Sequence, residues 1–288
     1  MPHAGVQAIL DEVGTLVFPG VYDCLSARIV QDVGFPMSFV SGYGVSATSL
    51  GEPDMGLMTQ TEMLERARRI CGSVEIPILV DADTGYGNAM NVYRTVSDLI
   101  DAGAAGCFLE DQVWPKRCGH MQGKRVVDRS EYADKIAAAV EARGDRPFFI
   151  VARTDALAVI GFEEALYRVE DAVKAGADAS FIEAPATRDQ LAQIGREAPK
   201  PTVANMIEAG KTPLMTREEL AGHGFQLVLY PLSSLFSAAH AIREACQQIR
   251  DQQSTSALHS RMMTFGDFNS LIGLDGRNQL AKRLDSSR

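Results

Sequence analysis

The sequence is short of the features that would send it out of the cell, into a membrane or onto a nucleic acid. Its five cysteines, Cys24, Cys71, Cys107, Cys118 and Cys246, contain no C-x-x-C pair, and no histidine cluster gives zinc-finger spacing. An odd, scattered set reads as reduced thiols rather than a disulfide framework. Met1–Leu10 lacks a basic region followed by an apolar run, so no signal peptide is expected. No apolar stretch approaches the roughly 18 residues of a membrane span. Positive charge is scarce: 28 Lys and Arg stand against 37 Asp and Glu, a net charge of −9. That balance argues against nucleic acid or anionic membrane as a main partner, though it leaves room for a cationic pocket. The expected location is the cytoplasm. No linker rich in Pro, Gly or Ser divides the 288 residues.

What is present is alternation. Eight short apolar runs read as strands: Leu16–Phe18, Met37–Val40, Pro77–Val80, Gly106–Leu109, Phe148–Val151, Ser180–Ile182, Thr202–Ala204 and Gln226–Leu229. Amphipathic stretches between them, such as Gln60–Cys71, Asn91–Ala102, Ser130–Arg143, Phe162–Ala175, Arg188–Glu197 and Arg217–Gly222, read as helices. Leu99–Glu110 and Ala172–Glu183 match position by position, each a helix, a Gly-containing turn and a strand closing on Glu. Repeated strand–helix units need parallel strands, and eight of them close a (β/α)8 TIM-type barrel. A doubly wound open sheet is the alternative. Residues 1–288 are expected to form one domain, with Arg250–Ser256 a loop and 257–288 a C-terminal extension carrying helices over Leu258–Leu271 and Arg277–Leu284.

Such barrels place their chemistry at the C-terminal ends of the strands. There the sequence offers Ser41, Asp81, Glu110, Arg153, Glu183, Asn205 and Tyr230. Asp81 and Asp83 are two apart, so in an extended chain both point to one side. With Glu110 they would repel one another unless a cation sat between them, and oxygen-only ligands suit Mg²⁺ or Mn²⁺. Helix capping explains the same aspartates without a metal. In Lys116–His120 a thiol stands amid three potentially cationic side chains, which should favour its thiolate and suit it to acid–base work. Gly119 and Gly123 suggest a mobile loop. An exposed basic loop with an incidental cysteine is the plainer reading.

The motifs Val80–Gly87, Glu110–Gln112, Lys116–His120, Ala152–Asp155, Ile182–Pro185 and Ala204–Glu208, in this order and spacing, resemble the isocitrate lyase/phosphoenolpyruvate mutase superfamily over nearly the whole chain. The resemblance implies a Mg²⁺ site (Mn²⁺ also suits) at Asp81 and Asp83, supported through waters by Asp54 and Glu110. It implies Cys118 as the acid–base residue of the lyase branch, with Lys116, His120 and Glu110 in the catalytic set. Ser41, Gly42 and Tyr43 would hold the oxygenated half of the substrate and Arg153 its carboxylate. Glu183 and Asn205 would line the other half, with Gly119, Pro231 and Ser233 completing the contacts. A homotetramer exchanging C-terminal helices between subunits is also implied.

The reaction implied is cleavage of the C2–C3 bond of a 2-hydroxy acid, with Cys118 returning a proton to the carboxylate fragment. One departure bears on the substrate. Methylisocitrate lyases place two arginines where this chain aligns Phe236 and Phe265, and phenyl rings cannot pair a third carboxylate. The expectation is therefore a dicarboxylate with apolar substituents, of the 2,3-dimethylmalate or other 2-alkylmalate type. Oxaloacetate hydrolase, 2-methylisocitrate lyase, carboxyphosphoenolpyruvate phosphonomutase and a non-catalytic binding barrel are the rival readings.

Overall fold

A computed structural model describes residues 5–285. Residues 1–4 and 286–288, the ends of the expected domain and part of Met1–Leu10, lie outside the described residues. All eight expected runs are strands: β1 Leu16–Val21, β2 Ser38–Val40, β3 Ile78–Asp81, β4 Gly106–Glu110, β5 Phe149–Thr154, β6 Ala179–Ile182, β7 Val203–Asn205 and β8 Leu227–Tyr230. Each pairs in parallel with its sequence neighbour from β1 to β6, and β8 pairs with both β7 and β1. A single parallel bridge, Ser180 to Thr202, joins β6 to β7 and closes the ring. The open sheet is thereby excluded.

The strands are short and almost wholly buried because both faces meet apolar layers. Inside the ring, Phe18, Phe39, Leu79, Phe108, Val151, Phe181 and Leu229 form a packed core, and Val6, Ile9 and Leu10 of helix Val6–Val13 join it. Phe108 lies with its ring centroid 4.6 Å from Phe39 and 5.7 Å from Phe181. This aromatic layer is the floor on which the polar mouth rests. The repeated units turn as expected: Gly103 and Gly176 have φ of +87° and +108°, left-handed values that a side chain would resist.

The C-terminal part departs from expectation. Helix Ser233–Gln252 runs three residues into the anticipated loop, where Gln253 ends it at φ +51°. The anticipated helix Leu258–Leu271 is a 3₁₀ turn, Ser256–Arg261, and a short helix, Phe265–Leu271. Met262 ends the one and Thr264 caps the other, its side chain accepting from Asp267 N. The last helix is Leu274–Asp285. None of the three helices has a buried residue, and Phe236, Ile242, Ile249, Phe265 and Phe268 stand exposed.

Where β4 begins, close packing leaves no room for a side chain. A Cβ on Gly106 would lie 2.2 Å from the Phe149 carbonyl oxygen and 2.5 Å from Leu79 Cδ2. Gly106→Ala should therefore cost about 1–3 kcal/mol of overpacking, read as a lower urea midpoint. An unchanged midpoint would contradict the packing described.

Candidate active site

The mouth at the C-terminal ends of the strands holds a cavity lined by Ser41, Tyr43, Asp54, Asp81, Cys118, Gly119, Arg153, Glu183, Asn205 and Pro231, over Phe39, Phe108 and Phe181. The fold brings these residues together from β2, β3, β5, β6, β7 and β8 and from two loops. Ser41 caps helix Gly42–Leu50, its Oγ accepting from Gly44 N.

Asp81 and Asp83 do share a side, but not through extended backbone. Asp81 ends β3, and Asp83 stands at φ +48°, its N–H donating to Asp81 Oδ1 at 3.1 Å. A non-glycine residue in that region is strained, a cost that persists at sites the surroundings over-determine. Gly42 lets both carboxylates approach: its N–H donates to Asp81 Oδ2 at 3.3 Å, and a Cβ there would stand 2.7 Å from that oxygen. Lys116 supplies the missing positive charge. Its Nζ lies 2.6 Å from Asp54 Oδ1 and 2.7 Å from Asp83 Oδ1. Burial opposes charge on this lysine, but Asp83 and Asp54 outweigh it and keep it an ammonium.

The same burial pushes the Asp83 carboxyl up to about 7, against Lys116 and with help from Asp81 and Asp54. It raises Glu110 well above the usual carboxylate range, with Arg153 opposing. Glu110 Oε1 is buried without a donor, while Glu110 Oε2 has only the Arg153 guanidinium at 3.3 Å and Asp83 Oδ1 only the Lys116 ammonium. Among the described residues no three His, Cys, Asp or Glu side chains form a ready cage. Few carboxylates, with orphaned oxygens and no enclosing cage, fit a small hard cation that keeps several of its waters.

The loop carrying Cys118 lies closed over this cluster. Cys118 N donates to Asp54 O at 3.1 Å, and Gln112 clamps Arg117 through both backbone groups at 2.7 and 3.0 Å. Burial pushes the Cys118 thiol up to about 11; the His120 backbone N–H works against the rise, and Asp54 and Glu183 add to it. The expected thiolate is thus overturned. Lys116 is engaged by aspartates and only partly offsets the rise, and Arg117 faces solvent, so the thiol stays largely protonated at neutral pH.

Across the cavity, Arg153 Nη1 lies 3.3 Å from Glu110 Oε2, and Nε donates to Asp155 Oδ2 at 3.0 Å. Its Nη2 is buried without a hydrogen bond, 3.9 Å from Glu183 Oε1, a donor available to an anionic ligand. Burial works against ionised Glu183, but Arg153 and the His120 imidazole overcome it and hold the carboxyl down at about 2. Asn205 Nδ2 reaches both Glu183 oxygens at 3.2 and 3.3 Å.

A supporting layer escaped the sequence reading. Asp155 takes Lys124 Nζ at 2.6 Å, and that ammonium also donates to the Gly119 carbonyl at 2.6 Å. Asp111 accepts from Arg168, Thr154 and the Asp155 backbone. Tyr132 donates to the Arg153 carbonyl at 2.7 Å. Asp111 and Asp155 stood inside recognised motifs; Lys124, Tyr132 and Arg168 lie on helices or loops where nothing in the local pattern marks them.

Three expected contacts stand apart. Ser233 hydrogen bonds to Glu208. Phe236 packs edge-on against Tyr43, centroids 6.5 Å apart, behind the cavity wall. Phe265 is 87% exposed; within one chain it does not reach the cavity.

A family model for phosphoenolpyruvate phosphomutase matches residues 7–250. The chain belongs to the phosphoenolpyruvate mutase/isocitrate lyase superfamily. It is 50% identical to the chloroplastic carboxyvinyl-carboxyphosphonate phosphorylmutase of Arabidopsis thaliana, over all of this chain and 87% of that one. Identity is 48% to the petal death protein of Dianthus caryophyllus, over 94% and 85%. It is 41% to the 2,3-dimethylmalate lyase of Eubacterium barkeri, over 94% of both. Among solved structures, oxaloacetate acetylhydrolase bound to 3,3-difluorooxalacetate superposes with a TM-score of 0.92 at 35% identity, covering 99% of this chain and 97% of that one. A phosphonopyruvate hydrolase complex with oxalate and Mg²⁺ gives 0.86 at 30%, covering 96% and 97%.

Because only the thiolate alkylates, iodoacetamide labelling of Cys118 should be slow at pH 7. Its rate should climb about tenfold per pH unit toward pH 11. A plateau near pH 8, followed by peptide mapping of Cys118, would restore the activated thiolate.

Proposed function

We propose that this chain is a Mg²⁺-dependent carbon–carbon lyase. Its substrate is a 2-hydroxy dicarboxylate with apolar substituents, of the 2,3-dimethylmalate or 2-alkylmalate type, split into a 2-oxo acid and a carboxylate. One observation carries the reading: a protonated, half-buried thiol lines the same cavity as a guanidinium nitrogen without a hydrogen bond and an acidic cluster. Phosphoryl rearrangement has no need of a thiol acid, whereas a carbanion leaving group does.

Asp81 and Asp83, backed by Asp54 and Glu110, would hold the metal, whose bound form supplies Lewis acidity toward the substrate's oxygens. Arg153 Nη2 takes a substrate carboxylate, and Ser41, Gly42 and Tyr43 face the oxygenated half. As the 2-hydroxyl gives its proton to a carboxylate of the acidic cluster, C2–C3 breaks and Cys118 protonates the released carbanion, its sulfur being reprotonated between turnovers. The closed loop keeps bulk water from that step. Asn205 orients Glu183 beside it.

The apolar substituents rest on Ile207, Leu229, Pro231 and Leu232, which line the same cavity. The exposed faces of Ser233–Gln252 and Phe265–Leu271 fit exchange of C-terminal helices in a homotetramer, which would carry Phe265 to a neighbouring subunit's mouth. Five free cysteines fit a reducing compartment such as the cytoplasm. Cleavage of hydrated oxaloacetate to oxalate and acetate is the second reading, favoured by the fit to oxaloacetate acetylhydrolase.

The test is a panel with Mg²⁺: 2,3-dimethylmalate, other 2-alkylmalates, malate, 2-methylisocitrate and oxaloacetate, with 2-oxo acid and oxalate assayed separately. Two methyls buried at about 0.8 kcal/mol each should favour dimethylmalate over malate roughly tenfold in kcat/KM. EDTA should abolish turnover. Faster cleavage of 2-methylisocitrate than of every dicarboxylate, or full activity without metal, would refute the proposal.

A further inference from the structure

The closed loop meets the barrel at a surface turn outside the acidic cluster. The His120 ring sits between Glu183 and the turn Ile207–Lys211, where Gly210 N donates to Ile207 O at 3.0 Å. Lys211 N–H donates to His120 Nδ1 at 2.9 Å. A backbone amide can only donate, so Nδ1 is an acceptor and the neutral ring carries its proton on Nε2. That nitrogen is buried 3.3 Å from Glu183 Oε1, without an aligned hydrogen bond.

Gly210 makes this seating possible. A Cβ there would lie 2.7 Å from His120 Nδ1 and 2.9 Å from Cε1. Its φ is not in the left-handed region and the residue is exposed, so alanine suits the backbone and is opposed chiefly by the seated ring, the Ile207 carbonyl oxygen standing farther off at 3.1 Å. Gly119 stands in the same relation to the other side of the seam, where a Cβ would meet Glu183 Oε1 at 2.3 Å.

We propose that the turn Ile207–Lys211 is the seat of the closed loop, with Gly210 and the Lys211 amide as positioning groups that fix His120 as the Nε2–H tautomer facing Glu183. The consequence for turnover rests on the lyase reading above; the tautomer does not. Full-length protein labelled with ¹⁵N-histidine should show, at pH 8, the His120 signal (assigned by its loss in His120→Gln) as a single Nε2–H tautomer. Lys211→Ala keeps the amide and should keep both that signal and kcat. Gly210→Ala and Lys211→Pro should shift the signal toward a mixture of tautomers and lower kcat about ten- to hundredfold, with KM and melting temperature little changed. If both variants retain the wild-type tautomer, or if Lys211→Ala loses it as fully as Lys211→Pro, the seat is not there. Should no substrate in the panel be cleaved, the spectra alone decide this question and the lyase reading fails separately.

Discussion

Charge balance inside the mouth governs the rest of this structure. Asp54, Asp81, Asp83, Glu110, Asp111, Asp155 and Glu183 are all buried. Among the described residues four permanently charged side chains, Lys116, Lys124, Arg153 and Arg168, form ion pairs with them. Buried carboxylates outnumbering their cations must take up protons or gather another cation. Asp83 and Glu110, with raised pKa values, take the first course in the isolated chain. A divalent ion would supply the second.

Two of the four cations, Lys116 and Lys124, belong to the segment that closes over the cavity, so neutralising the cluster and shutting the loop are one event. Lys116 reaches Asp54 and Asp83, while Lys124 ties the Gly119 carbonyl to Asp155, which also orients Arg153. With its neighbouring lysine engaged in this way, Cys118 is left buried and protonated. The electrostatics that assemble the site therefore keep the thiol protonated, the state the proposed carbanion step requires.

Much of this was legible in sequence because barrel strands are short, doubly buried runs and their terminal residues face the mouth. Asp81, Glu110, Arg153, Glu183 and Asn205 could be placed from strand ends alone. What pattern could not give was the partner each charge would choose. Three cationic neighbours predicted a thiolate at Cys118, but pairing across 62 residues, from Lys116 to Asp54, engaged one of them. The left-handed turn at Asp83, the Lys124–Asp155 bond and the Lys211 amide likewise depend on tertiary approach. The C-terminal helices misled for a related reason: their apolar positions have no cover within the chain, so periodicity there did not mark a core.

The central claim is that a buried carboxylate at the metal site exchanges a proton for a cation. Calorimetric titration with Mg²⁺ in two buffers of different ionisation enthalpy counts protons released on binding. With Asp83 near 7, it is largely protonated at pH 6 and largely ionised at pH 8, so release should be substantial at pH 6 and much smaller at pH 8. Absence of binding, or a proton count that does not change between the two, would contradict the account.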